Sequence, residues 1–325
     1  MIVPHRLISA LRKEDSFLLA THINPDGDAI GSCLALAEML EALGKTVFVY
    51  DRDPVPVFYQ FMPGHRIFRT AIKRIHPEKL FLLLLDCNSL ERAALEGHVF
   101  RKTAVIDHHE TESAFGDIRW IEREAAATGL MVFRLAKALR AEITKTMATN
   151  LYTAIAVDTG TFRYSNTNAG ILRACAELVS SGAQPGMIAE HLYERWTKNR
   201  FALLTLALSN LKIKDQIALM HVTQEMLKKT GTTEADTENF ANIPRMIDAV
   251  MISTLIRQVE DGRWKVSMRS KGRVNVARIA ETYGGGGHQN AAGFRIRADL
   301  KTVRNTILKS GRDMLRNRRS TRERS

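Results

Sequence analysis

The stretch that decides the fold is Thr21–Gly31, which reads THINPDGDAIG. It follows a short apolar run, Phe17–Ala20, that is typical of a buried strand, and it leads into a helix-like stretch, Ala29–Leu43. Pro25 and Gly27 favour a turn between the two. Open α/β sheets bind their ligands at the carboxyl ends of strands, so this turn is a candidate site, although one acid here could instead be a helix cap. The turn carries the chemically active side chains of His22, Asp26 and Asp28.

Three further apolar segments end in an acidic residue or an acid–histidine cluster, and we predict that each is a strand. Phe81–Leu85 is followed by Asp86, and Thr103–Ile106 is followed by Asp107-His108-His109. The third segment, Tyr152–Val157, is followed by Asp158. Carboxylate oxygens combined with a few imidazoles suit a hard or borderline divalent ion, Mn²⁺ first and Mg²⁺ next. No cysteines have the spacing of a tetrahedral zinc site, which argues against structural zinc.

The adjacent pair His108-His109 predicts a division of roles. Neighbouring side chains on an extended strand point to opposite sides, so one imidazole can bind metal while the other faces substrate. Asp107 is then a candidate for the carboxylate that fixes an imidazole tautomer. The alternative is that one of these three residues is a capping or core residue.

A second signal lies near the other end of the chain, where Gly284–Gly293 reads GGGGHQNAAG. Four consecutive glycines are costly to order and suit a place where backbone N–H groups approach an anion, although a flexible hinge is the alternative. We expect His288 to lie at the start of a helix or turn. Just upstream, Trp264–Arg269 alternates like a strand, and the following Arg269-Ser270 could bind phosphate or simply end a hairpin.

As an ordered set, these motifs resemble those of the DHH phosphoesterases, and within that family the nanoRNase and pAp-phosphatase group. The resemblance runs from about Leu18 to Phe294 and implies a two-domain, binuclear, usually manganese-dependent phosphodiesterase, with Mg²⁺ or Co²⁺ as alternative ions. It implies that His22 and Asp26 hold one ion, that Asp28, His108 and Asp158 hold the other, that Asp86 bridges both, and that His109, with Asp107, acts at the scissile phosphate.

The same resemblance implies a set of substrate-binding residues. From the second domain these are Arg269, Ser270, Gly285, Gly286, Gly287 and His288, and from the first domain Arg163 and Asn166. The implied reaction is hydrolysis of short oligoribonucleotides to mononucleotides, and of pAp to AMP. Alternatives in the same superfamily are a single-strand DNA exonuclease and a linear or cyclic dinucleotide phosphodiesterase. A nucleotide- or RNA-binding protein without turnover is the alternative from a different class.

Composition limits the partners and the compartment. The chain has 325 residues and a formal net charge of +12, which suits a polyanionic substrate such as short RNA. Its three cysteines are widely spaced, which favours a reducing cytoplasm over a disulfide framework. The apolar runs are of strand length and the N-terminus lacks a signal-peptide pattern, so we expect no membrane association. A homodimer is left open.

The order of apolar runs and helical patterns predicts an α/β protein. We expect a mainly parallel N-terminal sheet with helices on both faces and a smaller C-terminal α/β domain. The predicted boundaries are 1–190 for the catalytic domain, 191–212 for a helical linker, 213–318 for the substrate-binding domain and 319–325 for a disordered basic tail.

Overall fold

The computed structural model of the chain describes residues 2–72, 75–109 and 114–322. The chain forms two compact units, Met1–Arg195 and Trp196–Ser325, and each has its own six-stranded sheet. The prediction of an α/β protein with two sheets is therefore confirmed. Among the described residues, no helix combines the length and the apolar character that a membrane span needs.

All six strands of the first sheet are parallel, as predicted, and they lie in the order β3-β2-β1-β4-β5-β6. The order reverses between β1 and β4, which pair directly, and ligand sites of open α/β sheets lie outside the carboxyl ends of the strands at such a point. The strands are β1 (Ser16–Ala20), β2 (Thr46–Tyr50), β3 (Phe68–Arg69), β4 (Phe81–Leu85), β5 (Lys102–Asp107) and β6 (Ile118–Ile121).

The α-helices of this unit share one core with one face of the sheet, to which Phe17, Leu83 and Ile106 contribute. They are α1 (His5–Lys13), α2 (Gly27–Ala42), α3 (Thr128–Leu139), α4 (Lys145–Asp158), α5 (Ala169–Ser180) and α6 (Pro185–Ala189). The opposite face, represented by Leu82, packs against loop residues around a 3-10 turn, Pro77–Lys79. Helices were expected on both faces, but the connections of β3 to β4 and of β4 to β5 contain no α-helix within the residues that the structure describes.

One predicted strand is wrong, because Tyr152–Val157 is the second half of α4. Thr144 caps this helix by accepting the N–H of Met147 at 3.1 Å. The helix packs against α2, α3 and α5, so most of its sides are buried and its sequence lacks a polar stripe. A short apolar run of this kind fits a buried helix as well as a buried strand. Asp158 therefore enters the site from the end of a helix.

The second unit contains a mixed sheet in the order β11-β12-β10-β9-β8-β7, in which only the β8–β9 pair is parallel among the described strands. The strands are β7 (Lys212–Lys214), β8 (Ile217–Val222), β9 (Ile252–Glu260), β10 (Arg263–Ser270), β11 (Gly286–His288) and β12 (Ala291–Arg297). The helices are α7 (Lys198–Ser209), α8 (Gln224–Thr230), α9 (Val276–Glu281) and α10 (Leu300–Arg322).

The two faces of this mixed sheet have separate cores. Helices α9 and α10 share one core with Val266 and Phe294, whereas α7 and α8 share the other with Met220 and Leu255. The predicted linker, 191–212, thus contains α7, whose leucines belong to the core of the second unit. In the predicted basic tail, α10 continues to Arg322, and residues 323–325 lie outside the described part of the chain.

Candidate metal centre and substrate residues

The six predicted metal ligands converge at the carboxyl ends of three adjacent strands of the first sheet. One group follows β1, one residue follows β4, one follows β5, and one ends α4. Their possible ligand atoms form two groups, within each of which all atoms lie within 4.8 Å of one another. These groups are His22, Asp26 and Asp86, and Asp28, His108 and Asp158. Asp86 also forms a group with His108 and His109.

Asp26 has both of the roles that the sequence left open. It is the N-cap of α2, where Oδ1 accepts the N–H groups of Asp28 and Ala29 at 3.0 and 3.1 Å. The cap fixes the carboxylate beside His22. The Nδ1 of His22 lies 3.1 Å from the carbonyl of Ile23, so this nitrogen is the protonated one and Nε2 is the candidate ligand atom.

Asp28 is fully buried and is held by the N-terminus of α3. Its Oδ2 accepts the N–H of Thr128 at 2.6 Å, and its Oδ1 accepts the N–H of Gly129 at 2.7 Å and the hydroxyl of Ser32 at 3.1 Å. The helix N-terminus supplies these donors to a carboxylate one hundred residues earlier in the chain. Sequence reasoning missed all three donors, and only Ser32, four residues after Asp28 on one helix, had a spacing that could have revealed it.

Asp86 lies at the centre of the site. Its backbone leaves β4 with a φ of 54°, and this turn places the two carboxylate oxygens toward different partners. Oδ2 lies 3.3 Å from Nε2 of His22, whereas Oδ1 lies 3.3 Å from Nε2 of His108 and 3.1 Å from the hydroxyl of Thr128. The geometry fits a carboxylate that offers one oxygen to each of two ions.

The expected opposite orientation of His108 and His109 is wrong. Strand β5 ends at Asp107, so the alternation of a strand no longer applies, and both rings contact Asp86, with ring centroids 5.4 Å apart. The two rings differ instead in their hydrogen bonds. His108 donates Nδ1–H to the carbonyl of Ala125 at 2.9 Å, which directs Nε2 toward the carboxylates.

The ring of His109 is held by Asp107, which supports the role predicted for this carboxylate. Nδ1 of His109 lies 2.6 Å from Oδ1 of Asp107, and the same oxygen accepts the backbone N–H of His108 at 2.8 Å. Despite burial, the hydrogen bond from His109 lowers the pKa of Asp107. An ionised Asp107 fixes the tautomer of His109 with the proton on Nδ1.

The carboxylates repel one another because they are buried close together. Burial, Asp158 and Asp86 raise the pKa of Asp26 to about 6, and burial with the same neighbours raises the pKa of Asp28 well above its ordinary value. Burial also opposes the charge on Asp86, but His109, His108 and His22 outweigh it and lower the pKa of Asp86. A buried site with this much negative charge requires cations.

Protonated histidines supply part of that positive charge when no metal is bound. Burial disfavours the imidazolium of His22, but Asp86 and Asp26 outweigh burial and raise its pKa to about 9. Burial likewise opposes protonation of His108, whereas Asp158 and Asp86 raise its pKa. The donor set of four carboxylates and two imidazoles, in two groups that share Asp86, fits two divalent ions.

These shifts predict how the stability of the metal-free protein depends on pH. The pKa of His22 is raised above its ordinary value of 6.5, so its stabilising contribution is complete below about pH 6.5 and is lost as the pH rises through about 9. Its upper limit is about 3 kcal/mol, at about 1.4 kcal/mol per pKa unit. With EDTA present, the free energy of unfolding should differ between wild type and His22→Asn at pH 6, and this difference should shrink by pH 9.5.

Saturating Mn²⁺ is the control for this measurement. Metal ligands must be deprotonated, so the benefit of His22 in the loaded protein should grow with pH over the same range. In EDTA, the difference in the free energy of unfolding between wild type and His22→Asn could instead stay constant or grow from pH 6 to 9.5. That result would show that Asp86 does not hold His22 as an imidazolium.

The predicted substrate residues of the first unit lie in the loop after α4. Arg163 is exposed and donates from Nε to the carbonyl of Gly160 at 2.7 Å. Asn166 donates from Nδ2 to the carbonyl of Asp158 at 3.1 Å, which ties this loop to the helix end that carries a predicted ligand. Both side chains are placed where their remaining polar atoms can face solvent.

In the second unit, the predicted role of Ser270 as a phosphate ligand is wrong. Its side chain is fully buried, and its hydroxyl donates to the carbonyl of Val274 at 2.6 Å and accepts from Nδ2 of Asn290 at 2.9 Å. Alternation along β10 explains this, because Ser270 faces the core when Arg269 faces the opposite side. Arg269 is half-buried and donates to the carbonyl of Met268 at 3.0 Å.

The glycine run forms a strand, and the expectation of a helix or turn at His288 is wrong. Gly286 pairs with Gly293 and His288 pairs with Ala291, although the side chain of His288 lies outside the described part of the chain. A Cβ on Gly285 would lie 2.2 Å from the carbonyl oxygen of Gly293, and one on Gly287 would lie 2.4 Å from that of Ala291, so close strand pairing explains both glycines. A Cβ on Gly286 would point into open space.

Comparison with known proteins places this geometry in a family. A model of the DHH family, N-terminal domain, matches residues 16–155, and a model of the DHHA1 domain matches residues 216–312. A curated relative from Thermus thermophilus, a bifunctional oligoribonuclease and PAP phosphatase NrnA, is 34% identical over 95% of this chain and 94% of its own length.

Two solved structures share the fold. An exopolyphosphatase-related protein from Bacteroides fragilis has a TM-score of 0.85 and 29% identity, with 95% of each chain covered. RecJ from Thermus thermophilus, in complex with Mn²⁺, has a TM-score of 0.52 and 14% identity over 96% of this chain and 54% of RecJ, which shows the fold alone. The chain therefore belongs to the DHH family, and it is a metal-dependent phosphoesterase.

Proposed function

We propose that this chain hydrolyses short oligoribonucleotides to mononucleotides and converts pAp to AMP. The observation that carries the substrate assignment is the match to the relative from Thermus thermophilus, which extends over both units and whose name states both activities. The cluster of six ligands supports the chemistry, because a phosphate ester is hydrolysed efficiently where two cations can neutralise its charge. We also propose a cytoplasmic location, since all three cysteines are free and buried.

Two divalent ions are the proposed cofactors, Mn²⁺ first and Mg²⁺ or Co²⁺ as alternatives. Mixed carboxylate and imidazole donors favour Mn²⁺ over Mg²⁺, which prefers oxygen alone. His22 and Asp26 would hold one ion, Asp28, His108 and Asp158 the other, and Asp86 both. When bound, the ions lower the pKa of a coordinated water and stabilise the attacking and leaving oxygens.

The protein groups around the ions have separate roles in this proposal. His109, whose Nδ1–H is held by Asp107, would act when its ring carries a second proton on Nε2, and would donate this proton to the leaving oxygen or use the positive charge to neutralise the phosphate. In the second unit, Arg269 and His288 would hold a terminal phosphate, and Gly286 would leave room for the nucleotide. Arg163 and Asn166 stay predicted substrate contacts, and a homodimer stays a prediction.

Preference for short strands is the test of this function. Turnover per chain end should fall at least about tenfold from four-nucleotide to twenty-nucleotide RNA, because a long strand needs a series of stacking platforms, whereas the described residues expose few aromatic rings, among them Tyr193 and Phe201. The three tryptophans of the chain do not provide such platforms. Trp120 and Trp264 are buried, and Trp196 stacks on Phe240. The measurement is kcat/KM with Mn²⁺ for RNA of two, four and twenty nucleotides and for pAp.

The same panel separates the alternatives. Single-stranded DNA of matched lengths and a cyclic dinucleotide complete it. Digestion of twenty-nucleotide DNA at rates equal to those for four-nucleotide RNA would favour the exonuclease. Exclusive turnover of dinucleotides would favour the dinucleotide phosphodiesterase. Binding of RNA without turnover under any of the three ions would contradict an enzyme.

A further inference from the structure

Strands β9, β10 and β12, inside the mixed sheet, carry a set of cations that the proposed roles of Arg269 and His288 do not use; Arg295 is exposed, Lys265 is half-buried and Arg257 is buried. Directly paired residues of antiparallel strands share one face of a sheet. Lys265 of β10 pairs with Arg295 of β12 on one side and with Arg257 of β9 on the other, so three cations form one row across the sheet. The next row adds Arg263 paired with Arg297. We call the first row, Arg257, Lys265 and Arg295, the basic row.

The positive charge of this row is only partly balanced. Arg257 forms an ion pair with Glu234, and Arg263 forms one with Glu260 at 2.9 Å. Across the described ranges, Lys265 and Arg295 form no ion pair. Burial, with the charge of Arg257, lowers the pKa of Lys265, while Glu238 opposes this and Arg295 adds to it. Three cations are thus crowded in a partly desolvated place, where an anion would be bound favourably.

The basic row lies on the same face as Arg269. Residues 265, 267 and 269 of β10 alternate with the buried core residues of that strand, so their side chains share a face. Small residues lie between the basic row and Arg269 on this face. Ser267 of β10 pairs with Gly293 of β12, and Gly293 pairs with Gly286 of β11. A Cβ on Gly286 would meet nothing within 4 Å, so space is open at the β11 end of this stretch.

Distance along the strand sets what can bind at both ends. Four residues of strand separate Lys265 from Arg269, which corresponds to about 13 Å. A single phosphate group cannot span this distance, and neither can the two phosphates of pAp, which share one ribose. A strand with several phosphodiesters can, with a nucleoside lying over the small residues between them.

We propose that the basic row is a second phosphate-binding subsite, which holds an internal phosphodiester of a short RNA strand whose terminal phosphate lies at Arg269. The inference deepens the proposed function and rests on it. It assigns oligonucleotide length selection to Lys265 and Arg295, and it separates the residues needed for RNA from those needed for pAp.

Charge changes in the row test this inference. Arg295→Glu and Lys265→Met should each lower kcat/KM for four-nucleotide RNA about tenfold and leave pAp turnover within about twofold. The dependence of log(kcat/KM) on log[salt] should become shallower by about 0.7 for each phosphate that the variant no longer neutralises. The matched control is Arg278→Glu, because Arg278 is exposed on α9, which packs on the other face of the sheet.

Each outcome decides the question. Equal decreases for pAp and RNA, decreases no larger than those of the control, or an unchanged salt dependence would overturn the subsite. Lys265 is half-buried, so the Lys265→Met result counts only if the thermal unfolding of this variant matches that of wild type. If it does not match, the test rests on Arg295→Glu, because Arg295 is exposed. A second readout is the binding of fluorescent four-nucleotide RNA in EDTA, measured for the same variants. This binding tests the subsite without hydrolysis. Absence of RNA hydrolysis by the wild-type protein would overturn only the proposed function.

Discussion

Asp86→Ala should abolish hydrolysis of every phosphate ester that the wild-type protein accepts. This carboxylate faces His22 with one oxygen and His108 with the other, so its removal takes a ligand from both predicted ion sites. Two-ion stabilisation of a transition state contributes several kcal/mol, so we expect kcat/KM to fall at least about 10³-fold. The measurements are kcat/KM with pAp and short RNA, and the metal content of the purified variant.

Folding should survive this substitution, although with lower stability in EDTA, because the loss of Asp86 removes a partner that stabilises the imidazolium forms of His22 and His108 while it relieves repulsion with Asp28 and Asp26. Thermal unfolding in EDTA therefore accompanies the activity assay. The matched control is Asp15→Ala, which removes an exposed carboxylate that directly precedes β1, at the opposite end of this strand from the cluster. A variant that keeps two bound ions and near wild-type turnover would contradict the bridging assignment.

The two adjacent histidines should respond differently to substitution. His108→Ala should lose an ion, because Nε2 of His108 lies 3.1 Å from Asp158 and 3.5 Å from Asp28. His109→Ala should keep both ions and lose about 10²–10³-fold in kcat, the usual cost of one proton-donating or charge-stabilising group. Metal content and single-turnover rates of the two variants measure this division.

Asp107→Asn supplies the matched control for His109. An amide keeps the shape of the side chain but cannot hold the Nδ1 proton of His109 as a carboxylate does, so kcat should fall with its pH profile shifted while metal content stays unchanged. Equal loss of metal from the His108 and His109 variants would instead assign His109 to the ion group that includes Asp86 and His108.

Much of this site could be predicted from the sequence because its ligands are locally encoded. Asp28, Asp86 and His108 each follow, or lie in the turn after, a short apolar run, and those runs are parallel strands. Carboxyl ends of parallel strands lie at one edge of a sheet, so the ligands had to lie along that edge, and the strand order, which puts β1, β4 and β5 side by side, brought them together. Motif order then fixed the family.

The tertiary structure decided the features that depend on contacts between distant segments. The N–H groups of Thr128 and Gly129 reach Asp28 from one hundred residues away, and nothing local marks them. Asp158 lies at the end of a helix that the sequence did not reveal, because burial on most sides of α4 removes the polar stripe that distinguishes a helix from a strand. Ser270 is committed to the core because of its register in β10.

The sequence alone therefore determined which side chains form the site and that they lie at the ends of strands. Turn residues and apolar runs could reveal this because they depend only on residues a few positions apart in the chain. The sequence did not determine the orientation of His108 and His109 or the row of Arg257, Lys265 and Arg295. Both depend on where a strand ends or which strands pair, and pairing is set by packing between segments that are far apart in the chain.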